Sequence, residues 1–295
     1  MTDETKRLPG TINKAFKYQL RPNKEQRGLL AKAFGCACFV NNYFLNLAID
    51  TYKRTGKGLY YEDQAKLLVA LKKNPEYEWL KEVPSQTLQQ SLLNLRTAYT
   101  NFFRKRAKFP RFKKKHNKQS IRFPQGIRVE GGFGYLLQNG WIRVNFQRPV
   151  EGKIKSITVS KTKSGKYFVS LVCEVKDPKP EYNGSEIGID VGLKTFAVTS
   201  DGESFEKPHY LKKAEASLAY WQRIMARRQR GSSGYEKART EVAKLHEKVA
   251  NQRKDDQHKL SRKLVEEHGA IYHEDLNVAG MVKNHNLAKV ISDAA

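Results

Sequence analysis

Two carboxylates stand at the ends of apolar runs in the second half of the chain. Asp190 falls near the end of Ile187-Gly188-Ile189-Asp190-Val191-Gly192, and Glu274, followed at once by Asp275, closes Ala270-Ile271-Tyr272-His273-Glu274. A carboxylate in an apolar strand is costly unless it is paired or coordinates a cation. If the two runs are strands lying side by side, their ends bring both carboxylates close together. Such a pair suits Mg²⁺, which takes hard oxygen ligands and keeps several waters. It also suits phosphodiester cleavage, where bound metal activates a water and stabilises the leaving oxygen, usually with a second ion. Two carboxylates are few for two ions, and a third is ordinarily expected. The plainer alternative for Asp190 is an aspartate that opens a tight turn before Gly192.

A second group of residues fits a polyanion. Residues 101–130, NFFRKRAKFPRFKKKHNKQSIRFPQGIRVE, hold eleven Lys or Arg and one acid. Arg104, Lys105, Arg106, Lys108, Arg111, Lys113, Lys114 and Lys115 alternate with Phe103, Phe109 and Phe112, and Phe123 follows. That mixture suits phosphate contacts combined with base stacking, and Pro110 and Pro124 stiffen the segment. The alternative is a solvated linker whose phenylalanines tuck into the adjoining fold. Further on, Arg223, Arg227, Arg228 and Arg230 precede Arg253, Lys254, Arg262 and Lys263. Helical spacing would put Arg223, Arg227 and Arg230 on one face, for nucleic-acid contact or simply as a solvated surface.

The elements that must carry these groups are legible from spacing. KAFKYQLRP (14–22) alternates as a half-buried strand does, and Pro22 ends it. Asn23 is a good N-cap with Gln26 at the third helical position, and Leu29 to Leu47 keep helical spacing, so a helix runs from there to about Arg54. A shorter helix is expected at 61–73, and Leu88, Leu92, Leu95, Tyr99 and Phe102 mark another after Pro84. Strand-like runs follow at 141–146, 153–161 and 166–175, with a hairpin signal at Ser164-Gly165, which predicts a small β-barrel partnering the first strand. Asp177-Pro178-Lys179-Pro180 reads as a linker. Beyond it come strands around 186–202, a third at 203–206, a helical hairpin over 210–268 broken at GSSG (231–234), a buried strand AIYHEDL (270–276) and the start of a helix at 287–295.

Composition narrows the function. The 295 residues carry 55 Lys+Arg against 30 Asp+Glu, a net charge of +25. That exceeds what solubility requires and points to nucleic acid, since cationic surfaces gain affinity by releasing counterions from phosphates. Three cysteines cannot staple a chain of this length. No run of about 18 apolar residues is present, and the start shows no signal-peptide core, so a protein of the cell interior is expected. With 39% hydrophobic residues in periodic blocks, wholesale disorder is excluded. There is no C-x-x-C, so no zinc site is expected, and neither a P-loop nor a nucleophile elbow occurs.

Four segments taken in order, KAFKYQLRPNKEQRGLLAKAFG, VPSQTLQQSLLNLRTAYTNFFRKRAKFPRFKKK, GIDVGLKTFAVTSDG and HEDLNVAGM, resemble the TnpB (OrfB-type) proteins of bacterial insertion sequences. These are compact relatives of type V CRISPR effectors. The resemblance implies an α+β multidomain fold: a wedge-like β-barrel domain (1–22 and 106–180) holding an inserted helical recognition domain (23–105), then an RNase H-like α/β domain of the RuvC type (181–295). It implies a guide RNA made from the transposon end, double-stranded target DNA next to a short motif, and Mg²⁺-dependent cleavage. Asp190 and Glu274 match the family's first and second catalytic, metal-binding carboxylates.

Family members continue past the glutamate strand into a zinc ribbon and a third catalytic aspartate. This sequence has neither before Ala295, and Asp293 does not match that third ligand. The resemblance therefore implies an incomplete, C-terminally truncated nuclease domain, no zinc, impaired cleavage, and apolar surface near the Asp190 strands. Two alternatives stay open: a nuclease-dead RNA-guided DNA-binding repressor, and a decaying transposase fragment. The expected setting is the cytoplasm of a prokaryote or phage host, on the nucleoid, as a monomer.

Overall fold

A computed structural model of the chain describes residues 10–114, 119–124, 128–136, 139–177, 183–285, 288 and 291. Lys115, positions 178–180 of the expected linker, and most of the expected helix at 287–295, Asp293 included, lie outside the described residues. The chain divides into two units, Met1–Asp177 and Pro178–Ala295.

In the first unit, strand β1 (Thr11–Arg21) buries Phe16, Tyr18 and Leu20 on alternate positions, as a strand with one covered face must. It pairs along its length with β7 (Tyr167–Lys176), from Thr11↔Lys176 to Leu20↔Tyr167. On its other edge lies β5 (Gly140–Asn145). With β2 (Gln119–Phe123), β3 (Arg128–Glu130), β4 (Phe133–Leu136) and β6 (Lys153–Lys161) they form a seven-stranded antiparallel sheet in the order β2-β6-β7-β1-β5-β4-β3.

Between β1 and β2 come helices α1 (Lys24–Thr55), α2 (Tyr61–Lys73) and α3 (Ser85–Phe103), with a 3₁₀ segment at Pro75–Glu82. Helix α1 starts at a reciprocal cap. The Gln26 amide N–H donates to Asn23 Oδ1 at 2.8 Å, and the Asn23 N–H donates to Gln26 Oε1 at 3.0 Å. Such a cap is worth about 1 kcal/mol. The helix stops where Gly56 takes φ 66°, a left-handed angle that glycine adopts without strain. Helices and sheet share one core: Phe44 from α1 and Leu92 from α3 belong to the same buried cluster as Phe16, Phe123, Ile142 and Leu171 from the strands.

The second unit opens with β8 (Glu186–Asp190), β9 (Thr195–Thr199) and β10 (Ser204–Glu206), an antiparallel meander. Helix α4 (Tyr210–Arg227) and the 35-residue α5 (Ser233–Glu267) pack together as a hairpin. The hairpin returns the chain to β11 (Ala270–His273), which lies beside β8 and parallel to it, giving the order β10-β9-β8-β11. A short helix α6 (Val278–Met281) follows, its first turn capped by Asn277. Among the described residues, no helix is long and apolar enough to cross a membrane.

Candidate carboxylate pair and nucleic-acid interface

The β8–β11 pairing runs from Ala270↔Glu186 to His273↔Ile189. It stops one residue short of Glu274 and Asp190, so both carboxylates leave the C-terminal ends of adjacent parallel strands. Adjacent strands lie about 4.8 Å apart, and this end of an open α/β sheet is where ligands usually bind. Asp190 also pairs across to Val198 of β9, and the chain then turns tightly. The Gly192 N–H reaches the Phe196 carbonyl at 3.2 Å, and a Cβ on Gly192 would meet the Thr195 carbonyl oxygen at 2.9 Å. The strand end and the tight turn, set out above as alternatives for Asp190, are thus both present.

Two expectations are corrected. Glu274 lies past the strand, not inside a buried 270–276 run: β11 ends at His273, and Tyr272 is 60% exposed. The strand is at the sheet edge, and none of its four residues is fully buried. Asp190 and Glu274 are themselves exposed, so what singles them out is their place at the ends of adjacent strands, not burial. Val191, Val198 and Tyr272 expose apolar surface around these strands. Among the described residues, no group of three or more His, Cys, Asp or Glu could hold a metal ion. Cys36 and Cys173 are buried and Cys38 partly so, all three as free thiols.

In the first unit the basic run begins where α3 ends. The Arg106 and Ala107 N–H groups both donate to the Asn101 carbonyl, at 2.9 and 3.2 Å. Lys105 takes φ 56°, a left-handed angle that costs a lysine about 1 kcal/mol. Arg104, Lys105 and Arg106 therefore sit exposed in the turn at the helix C-terminus, where cations complement the helix dipole. Residues 108–114 follow as an irregular strap in which Lys108, Arg111, Lys113 and Lys114 are exposed. Surrounding protein nevertheless takes water from the Lys113 ammonium and lowers its pKa.

Phe109 packs edge-on against Tyr99 and Phe102, with ring centroids 5.7 and 5.2 Å away. Phe103, 75% exposed, lies nearly parallel to Tyr99. These rings, with Tyr52, Tyr60 and Tyr61, line a cleft of about 580 Å³ that also holds Lys53 and Arg96. Sequence reading missed one strap contact entirely: the Asn42 side chain on α1 binds the Lys113 backbone. Nothing in the local pattern around Asn42 signals a partner 71 residues away.

The hairpin also departs from expectation. Helix α4 ends at Arg227, and Arg228 is extended, so Arg230 lies in the connecting turn and not on a helical face with Arg223 and Arg227. All three are exposed, and Arg223 Nε donates to the Ala219 carbonyl at 3.2 Å. Along α5, cations are paired within the helix, as in Lys259–Asp255 at 2.6 Å and Arg262–Glu266 at 2.7 Å.

Comparison with known proteins bears on this arrangement. Residues 170–285 match the OrfB_IS605 family, described as "Probable transposase". Residues 12–57 match HTH_OrfB_IS605, described as "Helix-turn-helix domain". Over that second stretch the structure has β1 and one uninterrupted helix, α1. The sequence is 37% identical over 273 residues to the Escherichia coli K12 protein named "Putative RNA-guided DNA endonuclease InsQ", covering 92% of this chain and 68% of that one. It is 34% identical over 296 residues to a "Putative RNA-guided DNA endonuclease" of Streptomyces pristinaespiralis, covering 96% of this chain and 72% of that one. A chain in a cryo-EM structure of a CRISPR-Cas12f ternary complex aligns at 13% identity with a TM-score of 0.40. The match covers 87% of this chain and 64% of that one, a likeness too loose to bear on residues.

The matched family and relatives define one class, that of transposon-associated proteins named as RNA-guided DNA endonucleases. The chain belongs to the OrfB_IS605 family, the TnpB-type proteins.

Proposed function

We propose that this chain binds a guide RNA and a matching double-stranded DNA target, and that Asp190 and Glu274 together hold Mg²⁺ at the sheet end for phosphodiester cleavage. The observation that carries the reading is the parallel β8–β11 pairing, which sends both carboxylates out of the same end of the sheet. The strand order, three antiparallel strands with a parallel fourth beside the first, supports an RNase H-like, RuvC-type identity for the second unit. The seven-stranded sheet with its helical insertion supports the wedge-like domain and recognition helices.

Two exposed carboxylates and a shell of waters suit a single, loosely held Mg²⁺. Bound there, the ion would supply charge stabilisation and an activated water. Asp190 and Glu274 supply the negative charge that positions it. With so small a ligand set, cleavage is expected to be slow beside that of a fully ligated two-metal site. The cations at 104–114 and in the hairpin hold the nucleic acid. Phe123 is buried in the sheet core and Phe109 packs on Tyr99 and Phe102, as the linker alternative expects. Exposed Phe103 and Phe112 leave two rings for base stacking. The setting proposed is the bacterial nucleoid, with the chain acting as a monomer.

The test is to purify the chain with co-expressed transposon-end RNA and incubate it with matched plasmid and Mg²⁺. Cleavage that falls by on the order of 100-fold in Asp190→Ala and in Glu274→Ala supports the metal-site reading. Tight guide-dependent binding without cleavage supports the repressor instead.

A further inference from the structure

We propose that Asn42 is a positioning residue for the basic strap, holding residues 108–114 in a preformed path along α1 so that Arg111, Phe112 and Lys114 meet a single-stranded nucleic acid already ordered. This rests on the reading that the strap binds nucleic acid. The strap has no regular secondary structure of its own, and fixing such a segment costs conformational entropy at every residue. Two anchors hold it. At one end Phe109 is seated against Tyr99 and Phe102. At the other, Asn42 binds both polar groups of one peptide: Asn42 Nδ2 donates to the Lys113 carbonyl at 2.9 Å, and the Lys113 N–H donates to Asn42 Oδ1 at 2.8 Å.

The carboxamide thus does for Lys113 what a neighbouring strand would do, offering one donor and one acceptor at neutral charge. Cys38 Sγ, one turn earlier on α1, lies 3.6 Å from the same carbonyl. Between the anchors Arg111 and Phe112 point outward, and Lys114 lies just beyond the second; Phe112 is 48% exposed. An exposed ring flanked by cations on a fixed backbone is a stacking platform. A platform ordered before binding does not spend affinity on its own ordering.

The experiment measures binding of a labelled single-stranded RNA of mixed sequence across a KCl series. It compares wild type, Asn42→Ala, Asn42→Asp and the double variant Arg111→Ala/Lys114→Ala, with amide exchange followed in parallel. Losing the two hydrogen bonds weakens binding about tenfold in Asn42→Ala. The slope of log K against log salt stays unchanged, since every cation remains. Asn42→Asp, which keeps the acceptor but sets a carboxylate against the Lys113 carbonyl, behaves alike. The Lys113 amide, which donates to Asn42 in the wild type, exchanges faster in both, while α1 stays protected and the melting midpoint holds. The double variant lowers the slope by about 1.4.

Wild-type binding by Asn42→Ala, with weakened binding by the double variant, overturns the positioning role and leaves the nucleic-acid reading standing. Wild-type binding and slope in the double variant overturn both. Weakened binding by Asn42→Ala together with lost protection throughout α1 makes Asn42 a structural residue and overturns the proposal.

Discussion

Single residues differ in how far their surroundings reshape their chemistry. Cys36 is buried on α1, and burial, with Glu82 nearby, pushes its thiol from 9.0 up to about 11. The folded chain therefore holds this proton more tightly than the unfolded chain does. The stability this gives is complete below pH 9 and is lost as pH rises through about 11. Urea unfolding across that range should show the decline in wild type and a shallower one in Cys36→Ala. An identical decline in both would remove Cys36 as its source. Asp190 and Glu274 are exposed, and the role proposed for them rests on their placement at two adjacent strand ends. Their sequence neighbours placed both at adjacent strand ends, as the structure has them. They also suggested a buried strand where β11 lies at the sheet edge, because apolar runs do not tell an interior strand from an edge strand. Asn42 was illegible for a related reason: a helical asparagine looks the same whether it faces water or a peptide from a distant segment.

Elements were most legible where the signals are local. The Asn23–Gln26 cap, the end of α1 near Arg54 and the span 61–73 for α2 follow from neighbouring residues, and the structure has all three, with α1 ending at Thr55. Strands β2, β3 and β4 were not read, because they are three to five residues long and part of the stretch is dominated by charge. The end of α4 was misplaced because neither glycine nor proline stands at Arg228, where the backbone becomes extended. Gly152, just before β6, tests the packing of this sheet. It has φ 75°, and a Cβ would sit 2.1 Å from the Glu174 carbonyl oxygen on β7. Gly152→Ala should cost about 2 kcal/mol in urea unfolding, and a change near zero would mean that the β6–β7 edge is more yielding than the structure shows.

At the scale of the whole molecule, the net charge of +25 resolves into distinct surfaces in each unit. In the first, cations cluster at a helix end and along a strap beside an aromatic cleft. In the second, they lie on the end and turn of a helical hairpin, whose long helix pairs many of its own cations. Charge alone predicts only that something anionic is held, and non-specific binding would satisfy it. Under the proposed function, specific targeting comes instead from a bound RNA that chooses the DNA by base pairing. The measurement that tests this most directly is DNA binding by the chain co-purified with transposon-end RNA, comparing DNA matched to the guide with a scrambled sequence of equal length in competing salt. The account predicts retention of matched DNA at far lower protein concentration, in wild type and in Asp190→Ala alike. Equal retention of matched and scrambled DNA would contradict it.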